Sequence, residues 1–395
     1  MMISNRPICV VLVIDDLEYG GAQRQVLECA NNMDPTRFDV HVCTLSDYVP
    51  LGKQLTDANR RLHVIGKKNK FDFTVVLRLA QLFRSLEADI VHSYLFRADI
   101  ATRLAGRLAG TALVIGSERN ANYKPKKRHI LAYKLTRACV DLTIANSKTG
   151  ADFNSRMFGQ PAPDYRVVYN GVDTQRFKAQ SPNAIRTELG IAEEDPVIGI
   201  FASFKPQKNH AMLLLAFRQV LESIPKTILL LVGDRLAGNM GGTTDYHGQM
   251  EALIDELKIR HKCIFLGNRN DVERLYPACD ITALSSLYEG TPNVLLESMA
   301  SGVPVVATRV SDNAYIIKEG ETGCLVQLDD VDGMAGRLRT LLRDAPRRRE
   351  MGRKAQEWAN EKFSIEQLIK NTEDVYLQGL HEKRQLSQTK NVKDE

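Results

Sequence analysis

Thirteen short runs rich in Val, Ile and Leu recur along the chain, and stretches with helical spacing separate most of them. In the first half these runs are "CVVLVI", "FDVHVCT", "LHVI", "DIVHS", "ALVIG", "LTIAN" and "RVVY". In the second they are "VIGIF", "TILLLVG", "CIFLG", "DITALS", "VPVVAT" and "GCLVQ". Many are apolar without a break, as strands covered on both faces must be. Parallel strands need long crossovers, and the intervening helices supply them. The pattern predicts an α/β protein built from doubly wound parallel sheets. At 395 residues the chain exceeds one ordinary core, so two such domains are expected. The turn-rich stretch "NGVDTQRFKAQSPN", residues 170–183, marks the seam. The expected domains are 1–172 and 173–363. The Gly-rich segment 236–248 reads as a mobile loop, and the polar tail 382–395 as disordered.

Composition excludes several classes. Lys and Arg number 53 against 48 Asp and Glu, a net charge of +5, too mild to point to nucleic acid. The seven cysteines are scattered without a CxxC pair, as expected of reduced thiols in a cytoplasmic protein. The run "ICVVLVI" is short and meets Asp15 and Asp16 at once, which reads as a buried strand rather than a signal peptide. No run approaches the ~20 apolar residues of a membrane span.

Ligands of open α/β sheets bind beyond the carboxyl ends of strands, so polar residues placed there carry the functional signal. After the first strand, Gly20 and Gly21 open a helix whose first amides suit an anion. The same pair also fits a plain tight turn, and the GxGxxG fingerprint is missing. His92 ends another strand; alone, a packed structural histidine is the commoner case. Lys205 and Lys208 precede the apolar helix "HAMLLLAF", where the helix dipole disfavours a cation unless an anion compensates.

The fullest signal is "SLYEGTPNVLLESMASGVPVVA", residues 286–307. Thr291 suits an N-cap, Pro292 the first helical position and Gly302 the stop, so the helix is expected over about Pro292–Ser301. Glu289 then lies on the loop and Glu297 inside the helix, with the amides around Gly290, Thr291, Asn293 and Val294 between them. That order offers an acid, an anion cradle and a second acid. A carboxylate that accepts two bonds from a vicinal diol suits Glu297 to a ribose. Two further features have plainer explanations. "DVD", residues 330–332, fits a helix cap better than a metal site. The basic stretch 119–138 forms a cationic, amphipathic segment that is either a solvated face or, through 124–137, a contact for anionic lipid headgroups or a phosphorylated acceptor.

Together these motifs resemble the retaining glycosyltransferases of family 4, with the GT-B fold of two Rossmann-like domains facing across a cleft. The resemblance rests on "YGGAQRQV", "DIVHSYLFRAD", "VVYNGVD", "KPQKNHAMLLLAF", "LLVGD", "FLGNRNDV", "SSLYEGTPNVLLESMASGVPVVAT" and "GETGCLV", and it covers nearly the whole chain. It implies a nucleoside-diphosphate sugar as donor, held by the C-terminal domain, and a hydroxyl acceptor bound by the N-terminal one. Glu297 would hold the ribose and Glu289 the sugar hydroxyls. The backbone over Thr291–Leu295 and Lys208 would meet the diphosphate, with Gly20 and Gly21 approaching it. His92 would sit beside the transferred sugar and the backbone at Arg269 beside the base. The last helix, about 364–380, would pack back on the first domain. Two positions depart from the family pattern. Ser203 stands where many relatives have an arginine, with Lys205 as a substitute, and Gly233 is followed by Asp234 where a Gly-x-Gly is usual.

The resemblance further implies transfer with retention, without metal or other cofactor, in polysaccharide, lipopolysaccharide or lipid-linked glycan synthesis. The protein is expected in the cytoplasm or peripherally on the inner face of its membrane. The rival from another class is a nucleotide-sugar epimerase of the same architecture. A nicotinamide-dependent oxidoreductase would need the missing glycine fingerprint.

Overall fold

The structure is a computed structural model that describes residues 6–69, 72–119, 126–159, 164–178, 181, 183–234 and 245–391. The chain divides into two compact units, residues 1–171 with 365–395, and residues 172–364.

Unit 1 holds seven strands: β1 (Ile8–Ile14), β2 (Phe38–Thr44), β3 (Leu62–Val64), β4 (Ile90–Ser93), β5 (Leu113–Glu118), β6 (Leu142–Ala145) and β7 (Tyr165–Val167). They form one sheet in the order 3-2-1-4-5-6-7, every pair parallel. β1 shows why its run is apolar throughout. Val10, Leu12 and Ile14 pack on one face against the helix Gly21–Asn32, while Cys9, Val11 and Val13 pack on the other against the helices Thr74–Ser85 and Phe96–Ala109. The C-terminal helix Ile365–Asn391 belongs to this unit, and its Ile365, Leu368, Ile369, Tyr376 and Leu380 join the first of these cores.

Unit 2 holds β8 (Val197–Phe201), β9 (Ile228–Val232), β10 (Cys263–Gly267), β11 (Ile281–Leu284), β12 (Val305–Thr308) and β13 (Gly323–Val326). Their order is 10-9-8-11-12-13, again all parallel. Strand order reverses between β1 and β4 in one unit and between β8 and β11 in the other. A crevice opens at such a switch point because successive crossovers leave on opposite faces.

Three local expectations need correction. The helix Ile365–Asn391 runs as far as Asn391 into the segment 382–395 expected to be disordered, and residues 392–395 lie outside the described residues. Once the packed turns have nucleated it, each added residue gains a backbone bond, and Glu382 and Lys383 pair with Arg166 and Asp141 at 3.2 and 2.7 Å. The loop expected over 236–248 gives way to a helix, Tyr246–Glu256, where the Asp245 side chain caps Gly248 N–H at 2.8 Å. Residues 235–244 lie outside the described residues. The helix expected over Pro292–Ser301 is Asn293–Ala300, with Pro292 rather than Thr291 at the cap. At "DVD", Asp330 caps the helix Val331–Arg343 by accepting from Gly333 N–H at 2.8 Å.

Candidate active site

In unit 2 the segments leaving β8 and β11 meet because those strands are neighbours. After β8 the chain makes a tight turn over Pro206–Lys208 and reverses through Asn209, whose φ of 47° lies in the left-handed region that asparagine tolerates. Three bonds fasten this turn to the β11 loop. Leu287 N–H donates to Gln207 O at 2.8 Å, Gln207 Nε2 to Tyr288 O at 2.8 Å, and Ser285 Oγ to Lys208 O at 2.9 Å.

Lys208 Nζ lies 2.6 Å from Glu289 Oε1, and Ser286 Oγ donates to the same oxygen at 2.6 Å. Glu289 N–H donates to Ser311 Oγ at 3.1 Å. Glu289 is buried, so the ammonium is the countercharge that makes its ionised form tolerable there. An ammonium carries three donors, and Glu289 uses one. Lys208 is thus a fixed cation beside a fixed acid at the sheet's carboxyl edge.

Glu297 is also buried, in the helix Asn293–Ala300. Tyr276 Oη donates to its Oε2 at 2.7 Å. The Tyr276 ring stacks on Phe201, the last residue of β8, at a centroid distance of 3.9 Å, and meets Phe177 edge-on at 5.8 Å. This aromatic layer sets the direction of the carboxylate. Between the two acids, Gly290, Thr291, Pro292 and Leu295 are buried and Asn293 and Val294 half-buried. The amides of this segment are not all open to a ligand, because Leu295 N–H donates to Pro292 O at 3.1 Å.

The remaining unit 2 candidates line neighbouring strand ends. Ser203 is half-buried and Lys205 exposed, both on the segment after β8. Gly233 follows β9, and a Cβ there would stand 2.1 Å from the Ala202 carbonyl oxygen, so only glycine lets these strand ends close up. Arg269 follows β10 and forks onto Asp271 at 2.7 and 2.8 Å, which fixes the backbone there.

The unit 1 candidates are Gly20, Gly21 and His92. Gly20 caps the helix Gly21–Asn32 in an extended conformation. A Cβ on it would stand 2.3 Å from Gln23 Oε1, because that side chain folds back to donate to Asp16 at 2.9 Å. His92 is 1% exposed at its strand end, with Nδ1 2.7 Å from Tyr376 Oη and Nε2 2.6 Å from Ser117 Oγ. Burial, with Arg119 nearby, drives its pKa down to about 3, so the ring is neutral and both nitrogens are engaged. The two bonds tie this histidine to β5 and to the C-terminal helix.

The basic stretch is described from Lys126 onward; residues 120–125 lie outside the described residues. It forms the helix Lys127–Leu135, where Tyr133 is buried while Lys127, Arg128, Leu131, Lys134 and Leu135 are exposed. No helix among the described residues is long and apolar enough to cross a membrane. Among them, too, no three His, Cys, Asp or Glu side chains are grouped to hold a metal.

Sequence inspection missed Gln207, Ser286, Ser311 and Tyr276. Ser286 lies inside the "SSLYEG" motif and was within reach. Tyr276 sits in "ERLYPACD", where nothing in composition or spacing marks it as the partner of an acid 21 residues later.

Residues 182–358 match the family described as Glycosyl transferases group 1, and residues 19–176 match Glycosyltransferase Family 4. The chain is 26% identical over 325 residues to N-acetyl-alpha-D-glucosaminyl L-malate synthase of Bacillus anthracis, covering 79% of this chain and 80% of that protein. It is 26% identical over 333 residues to UDP-Gal:alpha-D-GlcNAc-diphosphoundecaprenol alpha-1,3-galactosyltransferase of Escherichia coli, covering 80% and 84%. Anabaena HepE, solved in complex with UDP and glucose, superposes with a TM-score of 0.83 at 21% identity, over 94% of this chain and all of that one. With two matched regions that together span most of its length and two parallel-sheet units of this kind, the chain belongs to glycosyltransferase family 4 and has the GT-B fold.

Proposed function

We propose that this glycosyltransferase moves a sugar from a nucleoside-diphosphate sugar to a hydroxyl acceptor with retention of anomeric configuration. The observation that carries the proposal is the pairing of Lys208 with Glu289 at 2.6 Å on the switch point of the unit 2 sheet, with Glu297 inside the short helix that follows. In that arrangement Glu297 takes the ribose diol, Lys208 the diphosphate, and Glu289 the hydroxyls of the sugar. The departing diphosphate gains negative charge in the transition state, so a preorganised ammonium stabilises it more than the ground state. Lys208 and backbone amides then do the work that a divalent ion does elsewhere. No acid in the set stands as an enzymic nucleophile, which favours a front-face route in which the leaving phosphate takes the acceptor proton.

HepE, solved with UDP and with UDP-glucose bound, favours a uridine nucleotide. Relatives named for diphosphoundecaprenol-linked substrates favour a lipid-linked glycan acceptor. The exposed cations and leucines of Lys127–Leu135 suit an anionic membrane surface carrying such an acceptor. None of these relatives is named as an epimerase.

The test is calorimetric titration of the full chain with UDP-, GDP- and ADP-sugars, followed by NMR of the product's anomeric proton. A saturable donor and a retained configuration are expected. An inverted product, or sugar turnover without any acceptor, would overturn the proposal.

A further inference from the structure

Arg119 follows β5 at the carboxyl edge of the unit 1 sheet. Its Nη2 donates to Asn170 Oδ1 at 2.7 Å, and its guanidinium lies over the Tyr94 ring at 5.3 Å. Its Nε is buried and has no partner among the described residues. Among them no carboxylate pairs with it either. Glu118, its neighbour in sequence, turns to the opposite face of the strand, where it accepts from Asn154 at 3.0 Å. The groups that do face Arg119 are neutral near pH 7. Burial holds His92 unprotonated and pushes the Cys29 thiol up to about 11 and the Tyr94 phenol higher than usual.

Arg103 in the same unit shows what a buried guanidinium normally has. It is 2% exposed and pairs with Asp99 at 2.8 Å. Arg119 has an amide and an aromatic face instead. Arg119 is half-buried, and its packed surroundings hold its pKa below the usual guanidinium value. The surroundings also prevent escape. Asn170 precedes Gly171, whose N–H and C=O are both clamped by Gln25 at 2.9 Å, and Gln25 sits one turn into the helix that Gly20 caps. The cation is therefore preorganised on a rigid frame, and a guanidinium edge matches the paired oxygens of phosphate or carboxylate.

We propose that Arg119 is an oxyanion subsite of unit 1, binding a phosphate or carboxylate group of the acceptor. The proposal rests on the glycosyl-transfer function above, in which the donor diphosphate belongs to Lys208.

The test uses the full chain carrying Lys208→Ala, which removes the donor's cation, and titrates it with inorganic phosphate and, separately, with malonate. A saturable site is expected for at least one ion, weakened about tenfold or more when Arg119→Gln is added, as loss of a charge-assisted contact implies. Whichever ion binds identifies the acceptor group as phosphate or carboxylate. Arg119→Lys keeps the charge without the fork and should bind with intermediate strength; it stands in for the glutamine variant if that chain fails to fold. Equal binding by the Arg119 variants, or no binding of either ion to the Lys208→Ala chain, overturns the subsite. So does a loss of donor affinity in Arg119→Gln with Lys208 intact, since Arg119 would then serve the donor. Failure of every nucleotide sugar to bind the unmodified chain would instead overturn the transferase function itself.

Discussion

Tyr276 Oη stands 2.7 Å from Glu297 Oε2, so the acid inside the short helix is held by a phenol that is itself locked by stacking on Phe201. The tyrosine fixes which way the carboxylate opens. Tyr276→Phe keeps the ring and its stacking and removes only the hydroxyl. Donor affinity should fall about tenfold, the size expected when a hydrogen bond to a charged acceptor is lost. Calorimetry of donor binding reads this directly, and an unchanged Kd with an unchanged fold would remove Glu297 from the ribose.

Lys208 and Glu289 form a second coupled unit, 2.6 Å apart. Lys208→Ala should lower kcat by about 100-fold or more, as loss of a preorganised charge at the leaving group does. It also leaves a buried carboxylate without its countercharge, which destabilises the loop. The double variant Lys208→Ala/Glu289→Gln should therefore unfold at a higher urea concentration than Lys208→Ala alone. If the two substitutions simply add in stability, the ion pair contributes nothing and Glu289 is held by Ser286 and Ser311.

All thirteen strands and the parallel class were legible because short runs rich in β-branched residues, many of them unbroken apolar, alternate with stretches of helical spacing. Glu289, Lys208 and Glu297 could be singled out as candidates for a related reason: their motifs lie directly after strands. What escaped was long-range. Tyr376 reaches His92 across 284 positions of sequence, and no local pattern announces that a C-terminal helix will supply a partner for a strand-end histidine. The segment after Glu382 misled for the opposite reason. Its composition is that of a disordered tail, yet as far as Asn391 it inherits helical order from the packed turns before it.

The pH dependence of stability follows from buried groups whose effects oppose one another. His92 is pushed down to about 3 and His210 to about 4, chiefly by burial. Below pH 6.5 the unfolded chain binds these protons and the folded chain does not, so both histidines lower stability as the pH falls. Glu118 is pushed up to about 8 and Asp15 to about 6, again by burial. Those two hold protons in the folded state that the unfolded chain releases, so they lower stability as the pH rises from the ordinary carboxyl range. The two sets oppose one another near pH 5, and His41, His63 and His129, also lowered chiefly by burial, add to the histidine side. Replacing one partner exposes the other: His92→Gln removes a slope of about 1.4 kcal/mol per pH unit between pH 6.5 and 4. Urea midpoints at pH 7 and pH 5 measure it. A variant whose midpoint moves with pH as the wild type's does would show that His92 titrates normally.

Gly233 and Gly336 make opposite predictions for the same substitution. A Cβ at Gly233 would stand 2.1 Å from the Ala202 carbonyl oxygen and 2.9 Å from Ser203 N, both backbone atoms that cannot rotate away. Gly233→Ala must therefore separate the ends of β8 and β9, at a cost of about 2–4 kcal/mol, and should weaken donor binding because that movement displaces the turn bearing Lys208. Gly336 lies within the helix Val331–Arg343, and a Cβ there meets nothing within 4 Å. Gly336→Ala should stabilise by about 0.5–1 kcal/mol through the conformational freedom removed from the unfolded chain, with donor affinity unchanged. Urea unfolding and donor titration of the two variants side by side decide the matter. A Gly233→Ala chain as stable as wild type would mean that the strand ends yield easily and that glycine is not required there.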